Sequence, residues 1–171
     1  MQKNNQYQIT IIRPGGNDQL LVKGLVEDSK QLANNLFRVD LEGIVHLIYD
    51  RSTQGFTNDA IKDYAKEILE KENLLLSTPA AGVMFIEQSN KELSIKPIVW
   101  VRDIQTLLYE TSCASGTAAV GLWNYYLNNI STMQVKQPSK KYIEVTINKR
   151  NTCNIEVSGE VEIIKNTRIT L

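Results

Sequence analysis

Cys113 stands among small and hydroxyl-bearing residues just before a run that predicts a helix, and this stretch is the part of the chain best suited to chemistry. Residues 112–117 read Ser-Cys-Ala-Ser-Gly-Thr. Ser112 or Thr111 is predicted to cap the helix, and the backbone amides of the first turn then lack intrahelical acceptors. Such amides bind carboxylate or phosphate and favour a thiolate over a thiol. The stretch therefore predicts a reactive cysteine beside an anion-binding site.

Three further residues bear on this chemistry. His46, the only histidine, lies in an apolar segment, where a hydrogen-bonded core position is the ordinary interpretation. Glu110 is either a solvated charge or a carboxylate facing the site. A Cys113–His46 pair would also suit a cysteine hydrolase. Cys153 alternates in step with the apolar residues of its predicted strand, which indicates an inert core position.

The predicted elements around these residues describe an α+β domain with a large antiparallel sheet. Helices are expected at 28–37, at about 58–72 with Thr57 as cap, and at about 115–128. The helix at 115–128 is small or apolar nearly all round, which favours a place inside a curled sheet. Strands are expected at 7–12, 19–26, 43–49, 81–87, 93–102, 133–136, 142–149, 153–164 and 168–171.

Composition narrows the function classes. Nineteen basic residues balance nineteen acidic ones, so neither a nucleic acid nor a membrane is an expected partner. The chain lacks an apolar run of the roughly 20 residues that would span a bilayer, and its first residues do not resemble a signal peptide. The two cysteines do not form a disulfide framework, and no cluster has metal-ligand spacing. We expect one cytoplasmic domain over residues 1–171.

Several motifs in order resemble the cofactor-independent racemases and epimerases of the diaminopimelate epimerase and proline racemase type. Gly43-Ile44-Val45-His46 stands where diaminopimelate epimerases have Gly-Asn-Pro-His, and Gly82-Val83-Met84-Phe85 where they have Asn-Val-Asn-Phe. The stretch Glu110-Thr111-Ser112-Cys113-Ala114-Ser115-Gly116-Thr117 is similar to the motif around their second catalytic cysteine. With Gln137-Pro138 after the helix, the pattern most resembles histidine racemases of the staphylopine-type metallophore pathway. Ile44 and Gly82 replace the asparagines that hold diaminopimelate, which argues against that substrate.

The resemblance covers about residues 40–171 and implies only the C-terminal half of a two-domain enzyme. Such enzymes use one cysteine from each half, one thiolate removing the α-proton and the other thiol reprotonating the opposite face. The sequence therefore predicts a half-site that is inactive without an N-terminal half. The partner would be that half-domain, or a second copy in a homodimer through the active-site face.

The resemblance also assigns roles to the site residues. Cys113 would transfer the α-proton of an amino acid, which the resemblance implies is histidine, without pyridoxal phosphate, a metal or any other cofactor. His46 would line the substrate pocket, and Glu110 would engage the substrate amine or imidazole. The amides of Ala114, Ser115, Gly116 and Thr117 would hold the substrate carboxylate. The alternative is a non-catalytic domain of the same fold that binds an amino acid or a partner.

Overall fold

The computed structural model describes residues 10–12, 19–21, 26–33, 35–89, 92–149 and 153–160. Within these ranges no helix is long and apolar enough to cross a membrane. The elements follow one another as β1 (Thr10–Ile12), β2 (Gln19–Leu21), β3 (Val26–Ala33), β4 (Leu36–Leu41), β5 (Ile44–Tyr49), α1 (Asn58–Lys71), α2 (Leu74–Ser77), β6 (Ala80–Ser89), β7 (Glu92–Val101), β8 (Thr106–Tyr109), α3 (Ala114–Asn128), β9 (Thr132–Lys136), β10 (Tyr142–Lys149) and β11 (Cys153–Gly159).

The main sheet of the described residues is mixed, with nine strands. Its order is β11-β10-β9-β7-β6-β5-β4-β3, and β8 pairs with β7. The α+β class is confirmed, but the prediction of an antiparallel sheet is wrong at two pairs, since β5 runs parallel to β6 and β7 parallel to β9. Parallel neighbours need a crossover connection, and a helix lies in each of these two connections: α1 between β5 and β6, and α3 between β7 and β9.

The two long helices pack against opposite faces of the central strands. Side chains alternate along a strand, so β5 and β6 each supply one row of residues to each face. Leu47 and Phe85 belong to the apolar cluster that includes the buried residues of α1. Ile48 and Met84 belong to the other cluster, which includes Cys113 and the buried residues of α3. The chemistry predicted at the start of α3 is therefore confined to one face of the sheet.

Helix α1 forms where the sequence predicts it. The side chain of Thr57 caps it by accepting a hydrogen bond from the amide of Ala60 at 3.2 Å. Its buried residues are Ile61, Ala65, Ile68 and Leu69, which recur at helical spacing on one face. The helix is amphipathic because its other face carries charged residues in solvent.

Helix α3 is buried along most of its length, as its composition predicts. Residues 116–124 are all buried, and the helix contacts β4, β5, β6, β9, β10 and β11. A Cβ on Gly121 would lie 2.6 Å from the Val145 side chain, so glycine allows α3 to approach β10 closely. Curling of the sheet around this helix stays a prediction.

The N-terminal part of the chain departs from the sequence-based prediction. The helix predicted at 28–37 is wrong: β3 and β4 pair there as antiparallel strands. Phe37 and Val39 occupy alternate, buried positions of β4, and burying them in the sheet outweighs the weak local helix preference. The strands expected at 7–12 and 19–26 are confirmed in part as β1 and β2, which pair with each other antiparallel. The short elements α2 and β8 were not predicted, and the strand expected at 168–171 lies outside the described residues.

Candidate functional site

Two strands and one helix terminus bring the predicted site together. His46 of β5 pairs in register with Gly82 of β6, and both lie on the face that α3 covers. Cys113 and Ser115 stand at the start of α3 above them. The imidazole Nε2 of His46 lies 3.0 Å from Ser115 Oγ, which lies 3.8 Å from Cys113 Sγ. The structure thus joins residues that are 69 positions apart in sequence.

Cys113 is itself the N-cap of α3, so the prediction of Ser112 or Thr111 as cap is wrong. Its backbone is extended, and its Sγ accepts a hydrogen bond from the amide of Gly116 at 3.4 Å. The side chain is only 5% exposed. Sulfur replaces the hydroxyl or carboxylate oxygen usual at this position, which places the thiol at the positive end of the helix.

Burial raises the pKa of the Cys113 thiol to about 12, and the charge of Glu110 adds to the rise. The half-buried Glu110 thus favours the protonated thiol, while the Gly116 amide and the Ser115 hydroxyl act on the pKa in the opposite direction. The sequence-based argument that a helix start favours the thiolate is therefore outweighed by loss of solvent. Cys113 is a protonated thiol at neutral pH in this structure.

His46 is fully buried, so no part of its side chain is open to a substrate in this structure. Burial lowers its pKa to about 4, and the imidazole is neutral at physiological pH. Its Nδ1 has no hydrogen-bond partner among the described residues. A Cβ on Gly82 would lie 2.7 Å from that nitrogen, so glycine is required for the imidazole to fit. His46 is therefore linked to Cys113 by way of the Ser115 hydroxyl.

The first turn of α3 offers two unpaired amides where four were predicted. The amide of Gly116 donates to Cys113 Sγ, and that of Thr117 donates to the Cys113 carbonyl at 3.0 Å. Ala114 is exposed and Ser115 partly exposed, and their amides have no acceptor within the part of the chain that the structure describes. A carboxylate could bind these two amides without displacing an existing hydrogen bond.

Gln137 is a site residue for which sequence reasoning gave no role. It is 3% exposed and lies in the turn after β9. Its Oε1 accepts from the Cys113 amide at 3.0 Å, and its Nε2 donates to Thr117 Oγ1 at 3.0 Å. The motif Gln137-Pro138 marked a resemblance only, because a contact across 24 positions leaves no local signal in the sequence.

Gly116 is required by the closeness of α3 to β6, and its replacement by alanine tests this packing. A Cβ on Gly116 would lie 2.2 Å from Met84 Sδ and 3.0 Å from Cys113 Sγ, and Met84 is fully buried. We expect Gly116→Ala to lower the free energy of unfolding by about 1–3 kcal/mol, measured by urea denaturation.

Met84→Ala supplies the matched control for this variant. Alone it leaves a cavity, but combined with Gly116→Ala it makes room for the added methyl group. The free energy of unfolding that the double variant loses should then be smaller, by about 1 kcal/mol or more, than the sum of the losses in the two single variants. Strict additivity would show that Met84 does not set the space at Gly116.

Sequence comparisons connect this chain with histidine racemases. A family model described as the histidine racemase CntK N-terminal domain matches residues 1–169. A histidine racemase of Fusobacterium nucleatum subsp. nucleatum is 32% identical over 132 residues, which are 77% of this chain and 46% of the relative. A histidine racemase of Staphylococcus aureus is 38% identical over 48 residues, 28% of this chain and 17% of the relative.

The chain spans about half the length of the Fusobacterium relatives, at 46% of each. The description of the family model names an N-terminal domain, whereas motif order predicts a C-terminal half. Among solved structures, a phenazine biosynthesis protein of the PhzF family from Enterococcus faecalis aligns with a TM-score of 0.39 and 14% identity, covering 77% of this chain and 41% of that chain. A likeness of that size has no bearing on function.

Proposed function

Because the chain belongs to the histidine racemase CntK N-terminal domain family, we propose that it is one half of a histidine racemase that works without pyridoxal phosphate. Cys113 is the reacting group, and α-proton transfer is its task. The observation that carries the proposal is the position of the Cys113 thiol, at the N-terminus of α3 beside the unpaired amides of Ala114 and Ser115.

The two unpaired amides hold the substrate carboxylate in this proposal. An anion at a helix N-terminus is favoured by the dipole and by direct N–H donors. As the α-proton leaves, negative charge spreads from the α-carbon into the carboxylate, and the same donors then stabilise more charge than in the ground state. Gly116 and Thr117 contribute by holding Cys113, since their amides already donate to it.

The protonation state of Cys113 determines its first step. With a pKa of about 12 the sulfur carries a proton at neutral pH, so it is ready to act as the acid. The S–H proton passes to the α-carbanion on one face and leaves a thiolate. For the substrate of opposite hand, Glu110 accepts the thiol proton and the thiolate removes the α-proton. The proximity of Glu110 to the thiol supports this role, although its charge also raises the thiol pKa and so makes this proton transfer the more costly of the two.

Inversion needs a second proton-transfer group on the opposite face of the α-carbon, and we propose that another half-domain or a second copy of the chain supplies it. The length of the relatives supports this requirement. The proposal requires only that the chain supplies one of two halves. The C-terminal placement stays a prediction, and the description of the family model favours the N-terminal position instead.

The test is deuterium incorporation at the α-carbon of L-histidine in D2O, measured by NMR. The chain is assayed alone and mixed with each separately produced half of a Fusobacterium nucleatum histidine racemase, with association followed by gel filtration. We expect exchange with one half, and the productive half then reveals which position this chain occupies, whereas exchange by the chain alone would assign the second proton-transfer group to a second copy of the chain. A complex that binds histidine without exchange would instead support the non-catalytic binding domain.

A further inference from the structure

We infer that Gln137, in the turn between β9 and β10, is the positioning residue of the Cys113 site. None of its side-chain hydrogen bonds among the described residues involves the thiol. It acts on the backbone of Cys113 and on the hydroxyl of Thr117, which together determine where the sulfur lies. The expected effect on catalysis rests on the proposed function. The expected effect on the position of Cys113 rests on the hydrogen bonds alone.

A closed ring of three hydrogen bonds surrounds the Cys113 backbone. The Cys113 amide donates to Gln137 Oε1 at 3.0 Å. Gln137 Nε2 donates to Thr117 Oγ1 at 3.0 Å, and Thr117 Oγ1 donates to the Cys113 carbonyl at 2.7 Å. Both polar backbone groups of Cys113 are therefore held by the same pair of side chains.

The direction of every bond in this ring is determined by chemistry. A backbone amide only donates and a carbonyl only accepts, so Gln137 must present oxygen to the Cys113 amide. Its NH₂ group then faces two acceptors, Thr117 Oγ1 and the Val135 carbonyl at 3.1 Å. If the amide of Gln137 were rotated by 180°, its NH₂ group would face the N–H of Cys113 and its oxygen would face the Val135 carbonyl. The side chain therefore has one orientation.

The ring is buried, which makes each missing partner costly. Gln137 is 3% exposed and Thr117 is fully buried. An apolar replacement at 137 would leave the Cys113 amide without an acceptor in a place that water does not reach. The backbone then relaxes by moving the residue that carries the thiol.

The turn that carries Gln137 is tied to the loop before α3. The amide of Ser139 donates to the Thr111 carbonyl at 2.9 Å, and the amide of Lys140 donates to the Gln137 carbonyl at 2.9 Å. The Gln137 amide donates to the Lys141 carbonyl, also at 2.9 Å, which closes the connection between β9 and β10. The thiol is thus positioned by a hairpin of the main sheet as well as by its own helix.

The experiment compares Gln137→Leu, Gln137→Glu and Thr117→Val with the conservative variant Thr117→Ser, which keeps the hydroxyl. Amide hydrogen exchange of the whole chain is followed by NMR. We expect the amides of Cys113 and Thr117 to exchange at least about tenfold faster in Gln137→Leu and Thr117→Val, and less so in Gln137→Glu, whose carboxylate still accepts the Cys113 amide, while the amides of α1 keep their wild-type rates. Thr117→Ser should behave like the wild type.

The second readout is catalytic and uses the complex of the two halves. The kcat for α-deuterium exchange should fall about 10²-fold in Gln137→Leu with KM changed far less, because misplacement of the thiol affects the reacting geometry. The double variant Gln137→Leu/Thr117→Val should be no slower than the slower single variant, since both break one ring.

Wild-type exchange rates at Cys113 in Gln137→Leu, or an equal acceleration across α1 and α3, would overturn the positioning role. A fall in kcat that is no larger than the loss of folded protein would also overturn the positioning role. A selective acceleration at Cys113 with no racemisation by the wild-type complex would leave the positioning role supported and the proposed function wrong.

Discussion

Replacing Cys113 with serine should lower the rate of α-proton exchange at least about 10³-fold and leave the fold intact. Serine is a preferred N-cap residue, and its Oγ can accept the amide of Gly116 as the sulfur does. The free energy of unfolding should therefore stay within about 1 kcal/mol of the wild-type value. A hydroxyl is a far weaker acid than a thiol, so the variant can neither deliver nor remove the α-proton at a useful rate.

The measurement is deuterium incorporation into histidine by the complex of the two halves, with urea denaturation to check the fold. Cys153→Ser is the matched control, because the sequence predicts an inert position for Cys153. It should retain exchange. Exchange that survives Cys113→Ser would move the chemistry to another group and refute the thiol mechanism, whereas loss in both variants would point to a second essential cysteine.

Lowering the pH from 7 to 5 should destabilise the chain by about 2 kcal/mol through His46 alone. The pKa of His46 is about 4 in the folded chain and about 6.5 when exposed by unfolding. Between these values the unfolded state binds more protons, so stability rises with pH. The stability that depends on a neutral His46 is fully present above pH 6.5 and is lost as the pH falls towards 4.

Urea midpoints at pH 7 and pH 5 measure this effect, with His46→Gln as the control. Glutamine can still form a hydrogen bond with Ser115 Oγ but does not titrate, so its stability should change little over the same interval. His46 is the only histidine of the chain, which makes the comparison direct. An equal pH dependence in both proteins would show that the imidazole is not held neutral by burial.

Elements with contiguous signals were predicted well from the sequence. Helix α1 forms because its cap and its apolar spacing lie within one segment, at Thr57 and over residues 58–71. The start of α3 was predicted within one residue from the small and hydroxyl-bearing residues around Cys113. β4 was missed because it also pairs with β5 and buries Phe37 and Val39 in the sheet, which the local residues do not signal, and β3 was missed with it because it pairs with β4.

The sequence alone determined that a cysteine stands at the start of a buried helix in a racemase-like pattern, because cap, composition and motif are local properties. Only the tertiary structure decided what surrounds that cysteine. The register of β5 against β6 places His46 beneath Ser115, and the turn after β9 brings Gln137 to the Cys113 backbone. The thiol's high pKa follows from the same packing, because desolvation depends on neighbours that are distant in sequence.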